Sequence, residues 1–181
     1  MYGGWASYRV IKPLTLLIGY EKLSGNDASN TTELKTELHG FATPYATAHA
    51  FYGYMDIWST YIQQDALHTG LIDLYGRATL KFSDKTSIEA TYRSFSMPYG
   101  YLPAKTKTGY QSVSTNLGSE LDMMFIYKPI PSLELNTAYC LYFNTDTKDI
   151  IDGLKAGTGR MGQFAYLMIT YKPNFFTSEK K

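Results

Sequence analysis

The sequence predicts an all-β fold: an antiparallel transmembrane β-barrel of which this chain supplies about seven strands, an open curved sheet if those strands stand alone. Three observations carry that expectation. Stretches of about ten residues alternate apolar and polar side chains, the period of two that belongs to strands and not to helices. The connections between these stretches alternate strictly between short and long. Aromatic residues make up 15% of the chain, with 17 Tyr against 9 Phe and 2 Trp, and tyrosine suits an interface because its body is apolar and its tip is wet.

The strands fall near residues 3–11, 14–24, 70–82, 86–96, 117–127, 133–144 and 162–172. Each is long enough to cross a bilayer when tilted. Short connections hold Lys12-Pro13, Ser83-Asp84-Lys85 and Lys128-Pro129-Ile130-Pro131-Ser132, whereas long ones run from about 25 to 69, 97 to 116 and 145 to 161. Outer-membrane barrels have short periplasmic turns and long extracellular loops, so this order runs the even-numbered strands outward and ends the last one in the periplasm.

Within the strands one parity is oily and the other wet. In the third, Ile72, Leu74, Gly76, Ala78, Leu80 and Phe82 alternate with Asp73, Tyr75, Arg77, Thr79 and Lys81. The oily set continues with Leu14, Leu16 and Ile18, then Ile88 and Ala90, then Leu121, Met123 and Phe125, then Leu133, Leu135, Tyr139 and Leu141, and finally Ala165, Leu167 and Ile169. On that parity Phe82, Tyr127 and Tyr171 sit at the periplasmic ends and Tyr20, Tyr92 and Phe143 towards the outer ends, where aromatic girdles lie. A soluble sheet explains alternation but neither the girdles nor the order of the loops.

Other classes are poorly served. A net charge of +1 is no signature of a nucleic-acid binder. The single cysteine, Cys140, excludes an internal disulfide, and His39, His49 and His68 are spaced without any metal-ligand pattern, so neither cofactor nor metal is expected. No run of about 18 apolar residues marks a transmembrane helix, and Met1-Tyr2-Gly3-Gly4-Trp5 lacks the basic and apolar regions of a signal peptide. Bacterial single-chain barrels have an even number of strands, at least about eight. Residues 1–181 are therefore expected to be the C-terminal part of one outer-membrane barrel domain, with further strands preceding residue 1.

Several segments resemble the C-terminal half of the alginate export family of outer-membrane barrels. They are Gly19-Tyr20-Glu21-Lys22-Leu23-Ser24-Gly25-Asn26-Asp27, His49-Ala50-Phe51-Tyr52-Gly53-Tyr54-Met55-Asp56, Gly70-Leu71-Ile72-Asp73-Leu74-Tyr75 and Phe164-Ala165-Tyr166-Leu167-Met168-Ile169-Thr170-Tyr171-Lys172-Pro173. The resemblance implies a monomeric, porin-like barrel of about eighteen strands that moves a polysaccharide or other solute across the bacterial outer membrane. One feature departs from it. An exporter of an anionic polymer calls for a basic lumen, yet the wet parity offers Arg9, Arg77, Lys81 and Arg93 against Glu21, Asp73, Glu89, Glu120, Asp122 and Glu134, four positive and six negative.

The candidate lumen-lining residues are Arg9, Asp73, Arg77, Lys81, Glu89, Arg93, Glu120 and Asp122. If Leu80 faces Ile88, then Thr79 opposes Glu89 and Tyr75 opposes Arg93. That register sets Arg77 and Lys81 diagonally beside Glu89 and Asp73 diagonally beside Arg93. The set is either a charge ladder along a permeation path or a salt-bridge network that fixes register. Residues 43–62 are far more aromatic than a solvated loop requires, and Tyr45, Tyr52, Tyr54 and Trp58 would constrict a pore or stack on sugar rings if this segment folds inward. The alternative is an extracellular hairpin packed on itself. His49 and Asp56 lack the nucleophile context of a catalytic pair, Asn30-Thr31-Thr32 has no force as a sequon in a bacterial protein, and Gly157-Thr158-Gly159-Arg160-Met161-Gly162 lacks the ending of a phosphate loop and reads as a flexible extracellular loop.

The function expected is transport through an outer-membrane pore, without enzymatic chemistry. The alternatives are a structural or adhesive barrel with binding loops and a barrel enzyme. The partners expected are membrane lipid, the solute or polysaccharide, and the barrel assembly machinery, with no nucleic acid.

Overall fold

The computed structural model describes residues 1–27, 39–41, 51–59, 69–103, 110–173 and 175. Its strands are β1 (Tyr2–Ile11), β2 (Leu14–Leu23), β3 (Leu71–Lys81), β4 (Thr86–Ser96), β5 (Tyr101–Pro103), β6 (Tyr110–Ser112), β7 (Asn116–Ile130), β8 (Leu133–Phe143) and β9 (Gly162–Tyr171), with a short helix at Asp146–Ile151. Seven of them form one antiparallel sheet in the order β1-β2-β3-β4-β7-β8-β9. These are the seven strands the alternation predicts. The pair β5-β6 stands apart within the second long connection, and runs of three residues are too short to give a periodic signal.

Backbone pairing sets the register, and the register agrees with the expected one: Leu80 pairs with Ile88, Thr79 with Glu89 and Tyr75 with Arg93. The short turns hold one end of the sheet together. There the N–H groups of Lys81, Lys128 and Lys172 donate to the carbonyls of Pro13, Lys85 and Ser132, each at 2.8 Å, so each strand is tied to the turn of the hairpin before it. β7 runs past its expected end because its register shifts between Tyr127 and Ile130. Pro129, which has no N–H to donate, lies within that shift.

Because side chains alternate, a continuous register sorts them onto two faces. One face is apolar and exposed: Ile18, Leu74, Leu167 and Ile169 are 48–65% accessible, and Leu16, Ile88, Met123, Phe125 and Tyr139 join them. The aromatics Tyr20, Tyr92 and Phe143 lie on this face towards the long connections, and Phe82, Tyr127 and Tyr171 towards the short turns, all exposed. The other face holds the buried polar groups Asp73, Thr91, Arg93, Glu120, Asp122 and Asn136. A water-soluble sheet packs its apolar face inward. This one is inverted.

The core lies against the polar face at the end of the long connections. Leu23, Leu71, Phe95, Met97, Leu117 and Tyr142 are buried there together with Tyr52 and Trp58. A second cluster of Met124, Ala138 and Cys140 lies further along, with Tyr54, Met55 and Tyr166 packed on it.

The two outer strands present unpaired edges, and the apolar face is open. The isolated chain is expected to aggregate in plain buffer and to become monodisperse in detergent, because bare edges template further pairing and large apolar patches associate. Light scattering on refolded protein with and without detergent checks this; a monodisperse monomer in plain buffer counts against it.

Candidate functional site

The polar face carries the charged ladder. Arg77 Nε lies 3.2 Å from Glu89 Oε1 and donates to Thr91 Oγ1 at 3.0 Å, while Thr79 Oγ1 donates to Glu89 Oε2 at 3.3 Å. Arg93 pairs with Asp73, and its guanidinium lies 4.6 Å from the centroid of the Tyr75 ring. Gly19, opposite Tyr75 on β2, leaves the space this ring occupies: a Cβ at Gly19 would collide with it. Towards the short turns, Lys128 Nζ pairs with Glu134 Oε2 at 2.7 Å and Asn136 Nδ2 donates to Glu134 Oε1 at 2.9 Å. The two diagonal pairs Arg77–Glu89 and Arg93–Asp73 are those the register predicts.

Across this face lies a strap, residues Phe51–Ser59. The Tyr52 hydroxyl donates to Glu21 Oε1 at 2.9 Å, and the Met55 N–H donates to Glu120 Oε1 at 3.0 Å. Trp58 lies between Phe95 and Tyr142, with ring centroids 6.0 and 6.3 Å away, and Tyr54 lies 6.4 Å from Tyr166. Two left-handed residues shape the strap. Gly53 has φ 96° and Asp56 has φ 55°, and Asp tolerates that region because its short side chain bonds locally; here Ser59 Oγ donates to Asp56 Oδ1 at 3.3 Å. Burial first, and Glu21 second, raise the Tyr52 phenol above its ordinary pKa. Burial and then Glu89 do the same for Tyr54. Both hydroxyls therefore remain protonated and able to donate at neutral pH.

The strap divides the eight expected lining residues into two groups. Asp73, Arg93, Glu120 and Asp122 are buried. Arg9 and Lys81 are exposed, and the side chains of Arg77 and Glu89 are 29% and 15% accessible. In this conformation only the second group meets solvent. Of residues 43–62 the described part, Phe51–Ser59, lies on the polar face, and the expectation of sugar stacking does not fit two of its rings. Trp58 and Tyr52 are 0% and 4% exposed, so neither has a free face. Tyr54 is half-buried, and Tyr45 and His49 lie outside the described residues. Gly53, Phe95 and Tyr142 were not singled out in the sequence. Phe95 and Tyr142 had no signal beyond their parity, and Gly53 had none beyond being a glycine among aromatics.

The last long connection is more structured than a flexible loop. Thr145 caps the short helix by accepting from the Lys148 N–H at 3.3 Å. Asp149 Oδ2 accepts from the N–H groups of Thr158 and Gly159, each at 3.0 Å, and Asn144 Nδ2 donates to Oδ1. These donors, the Gly159 N–H foremost, hold the Asp149 carboxyl below its ordinary pKa. Among the described residues no group of three or more His, Cys, Asp or Glu side chains is placed to hold a metal.

No family model, curated protein or solved structure matches the chain.

Two outcomes follow from these contacts. Arg93→Ala strands the buried Asp73 carboxylate and is expected to cost about 3–5 kcal/mol, whereas replacing both partners with Met and Leu costs much less; urea unfolding in detergent reads both. Asp149 stabilises its turn at pH values above the ordinary carboxylate pKa, and this contribution is lost as pH falls through the lowered native pKa. Amide exchange at Thr158 and Gly159 measured down through that range checks it; protection indifferent to pH, or unchanged in Asp149→Asn, refutes it.

Proposed function

We propose that this chain forms part of the wall of an outer-membrane pore that passes a polysaccharide or small solute, without chemistry of its own. The observation that carries the reading is the inversion of the sheet. Its exposed face holds Leu, Ile, Phe and Met flanked by two aromatic rows, and its polar face holds the charges. Lipid rewards that arrangement and water penalises it.

The direction of the strands supports a larger assembly. Six antiparallel pairings make β1 and β9 run the same way. These two edges cannot close on each other in antiparallel fashion, and neither can the edges of like-oriented copies. An odd number of further strands completes the wall and gives the even total such barrels have.

Burial also changes the charge reading. Counted together, the wet parity is mixed, but the strap covers three of its carboxylates, Asp73, Glu120 and Asp122, and a single cation, Arg93. Of those ten charges, the ones left outside the buried group are Arg9, Arg77 and Lys81 against Glu21, Glu89 and Glu134, three of each sign. A wall balanced in this way selects neither an anionic nor a cationic solute by its net charge.

Two experiments test the reading. Leu74→Arg or Leu167→Arg in the full-length, membrane-inserted protein is expected to cost about 2–4 kcal/mol, because both face lipid, and Thr79→Arg on the opposite face should be mild. Equal tolerance in urea unfolding from lipid would show the faces to be misassigned. In planar bilayers, Arg77→Ala with Lys81→Ala is expected to shift the reversal potential towards cations in a salt gradient. A protein that inserts and unfolds as a barrel yet conducts nothing is a structural or adhesive barrel and not a pore.

A further inference from the structure

Residues Phe51–Ser59 are held on the polar face by two kinds of contact that pull in opposite directions. The aromatic contacts favour a seated strap. Trp58 and Tyr52 are buried with Leu23, Phe95 and Tyr142, and Tyr54 meets Tyr166, so lifting the segment would return large apolar area to water. The charges beneath favour a lifted one. Asp73, Glu120 and Asp122 have Arg93 among them, but its ion pair goes to Asp73. Glu120 and Asp122 are two carboxyls buried side by side on one face of β7 with no cation paired to them in the same way, and taking neighbouring carboxyls out of water is costly. A segment under two opposed terms is a two-state element.

We propose that Phe51–Ser59 is a reversible gate over the wall, latched through Glu21 and Glu120, and that Gly53 is the residue that lets the latch engage. What the gate controls rests on the pore reading; that it opens does not. The backbone of Gly53 lies against the Glu120 carboxylate in a left-handed conformation, and a Cβ there would collide with that carboxylate. Any other residue would face both the collision and the backbone strain. Two residues on, the Met55 N–H reaches the same carboxylate. The Tyr52 hydroxyl fastens the near side of the strap to Glu21.

The chain contains its own reporter. Cys140 is its only cysteine, buried in the cluster on which Tyr54 and Met55 pack. The experiment is the rate at which a charged, membrane-impermeant methanethiosulfonate reagent labels Cys140 in the full-length protein in lipid vesicles, read by mass spectrometry of the peptide that carries Cys140. Labelling is expected to be slow in the native protein, about tenfold faster in Gly53→Ala and about threefold faster in Tyr52→Phe, which removes one hydrogen bond and little else. Should Gly53→Ala fail to fold by heat-modifiable gel mobility, Tyr52→Phe alone decides. Equal rates in native and variant proteins, or a native rate as fast as that in urea, overturn the gate. Conductance on the same samples separates the two ideas. Labelling that follows Tyr52 and Gly53 in a protein that never conducts refutes the pore and leaves the gate, and a conducting protein whose labelling ignores both refutes the gate alone.

Discussion

Everything in this sheet depends on one constraint: an antiparallel register that holds through the body of every strand and shifts only near strand ends, in a structure whose side chains repeat every two residues. A slip of one residue in any pairing would exchange the two faces of that strand. The six pairings of the main sheet avoid this, and so Leu74, Tyr92 and Leu167 share a face while Asp73, Arg93 and Glu120 share the other. The inverted faces, the ladder and the seat of the strap all follow from it. Asp73–Arg93 and Arg77–Glu89 reinforce the same register, since each joins diagonal neighbours that a slip would separate. The buried Asp73–Arg93 pair thus lies across the β3–β4 register that sets it. The ladder's accessible members are Arg9, Arg77, Lys81 and Glu89.

The strands were legible in the sequence because period two and turn chemistry are local signals. Strand positions and the pairing of Leu80 with Ile88 could be read from residues a few places apart. The site was only half legible. Parity placed Asp73, Arg93, Glu120 and Asp122 on the wet side, but parity is silent about what lies above a face. It took the long-range contacts of the strap, such as Met55 to Glu120 across 65 residues, to turn four expected lining residues into a seat. Trp58 illustrates the same limit. An aromatic loop suggests a stacking platform, yet Trp58 is enclosed by Phe95 and Tyr142 and has no free face. Nothing in the local sequence marks those two as its partners.

The last long connection shows a milder form of the problem. Gly157 and Gly159 suggest freedom, because glycine-rich segments lack side chains to pack. What orders the turn is a carboxylate nine and ten residues away that collects its amides, and such a contact leaves no periodic trace. The glycines then acquire a steric meaning: a Cβ at Gly159 would occupy the position of Asn144 and Asp149.

The position of the strap in the chain has a consequence for assembly. It belongs to the connection between β2 and β3, yet its partners come from β2, β4, β7, β8 and β9. The β3–β4 and β7–β8 hairpins close over short turns and form early for the price of a small loop entropy. The strap has nothing complete to sit on until β9 has joined. Its docking therefore depends on strands that follow it far along the chain, and a seated strap marks a sheet in which β2, β4, β7, β8 and β9 have come together.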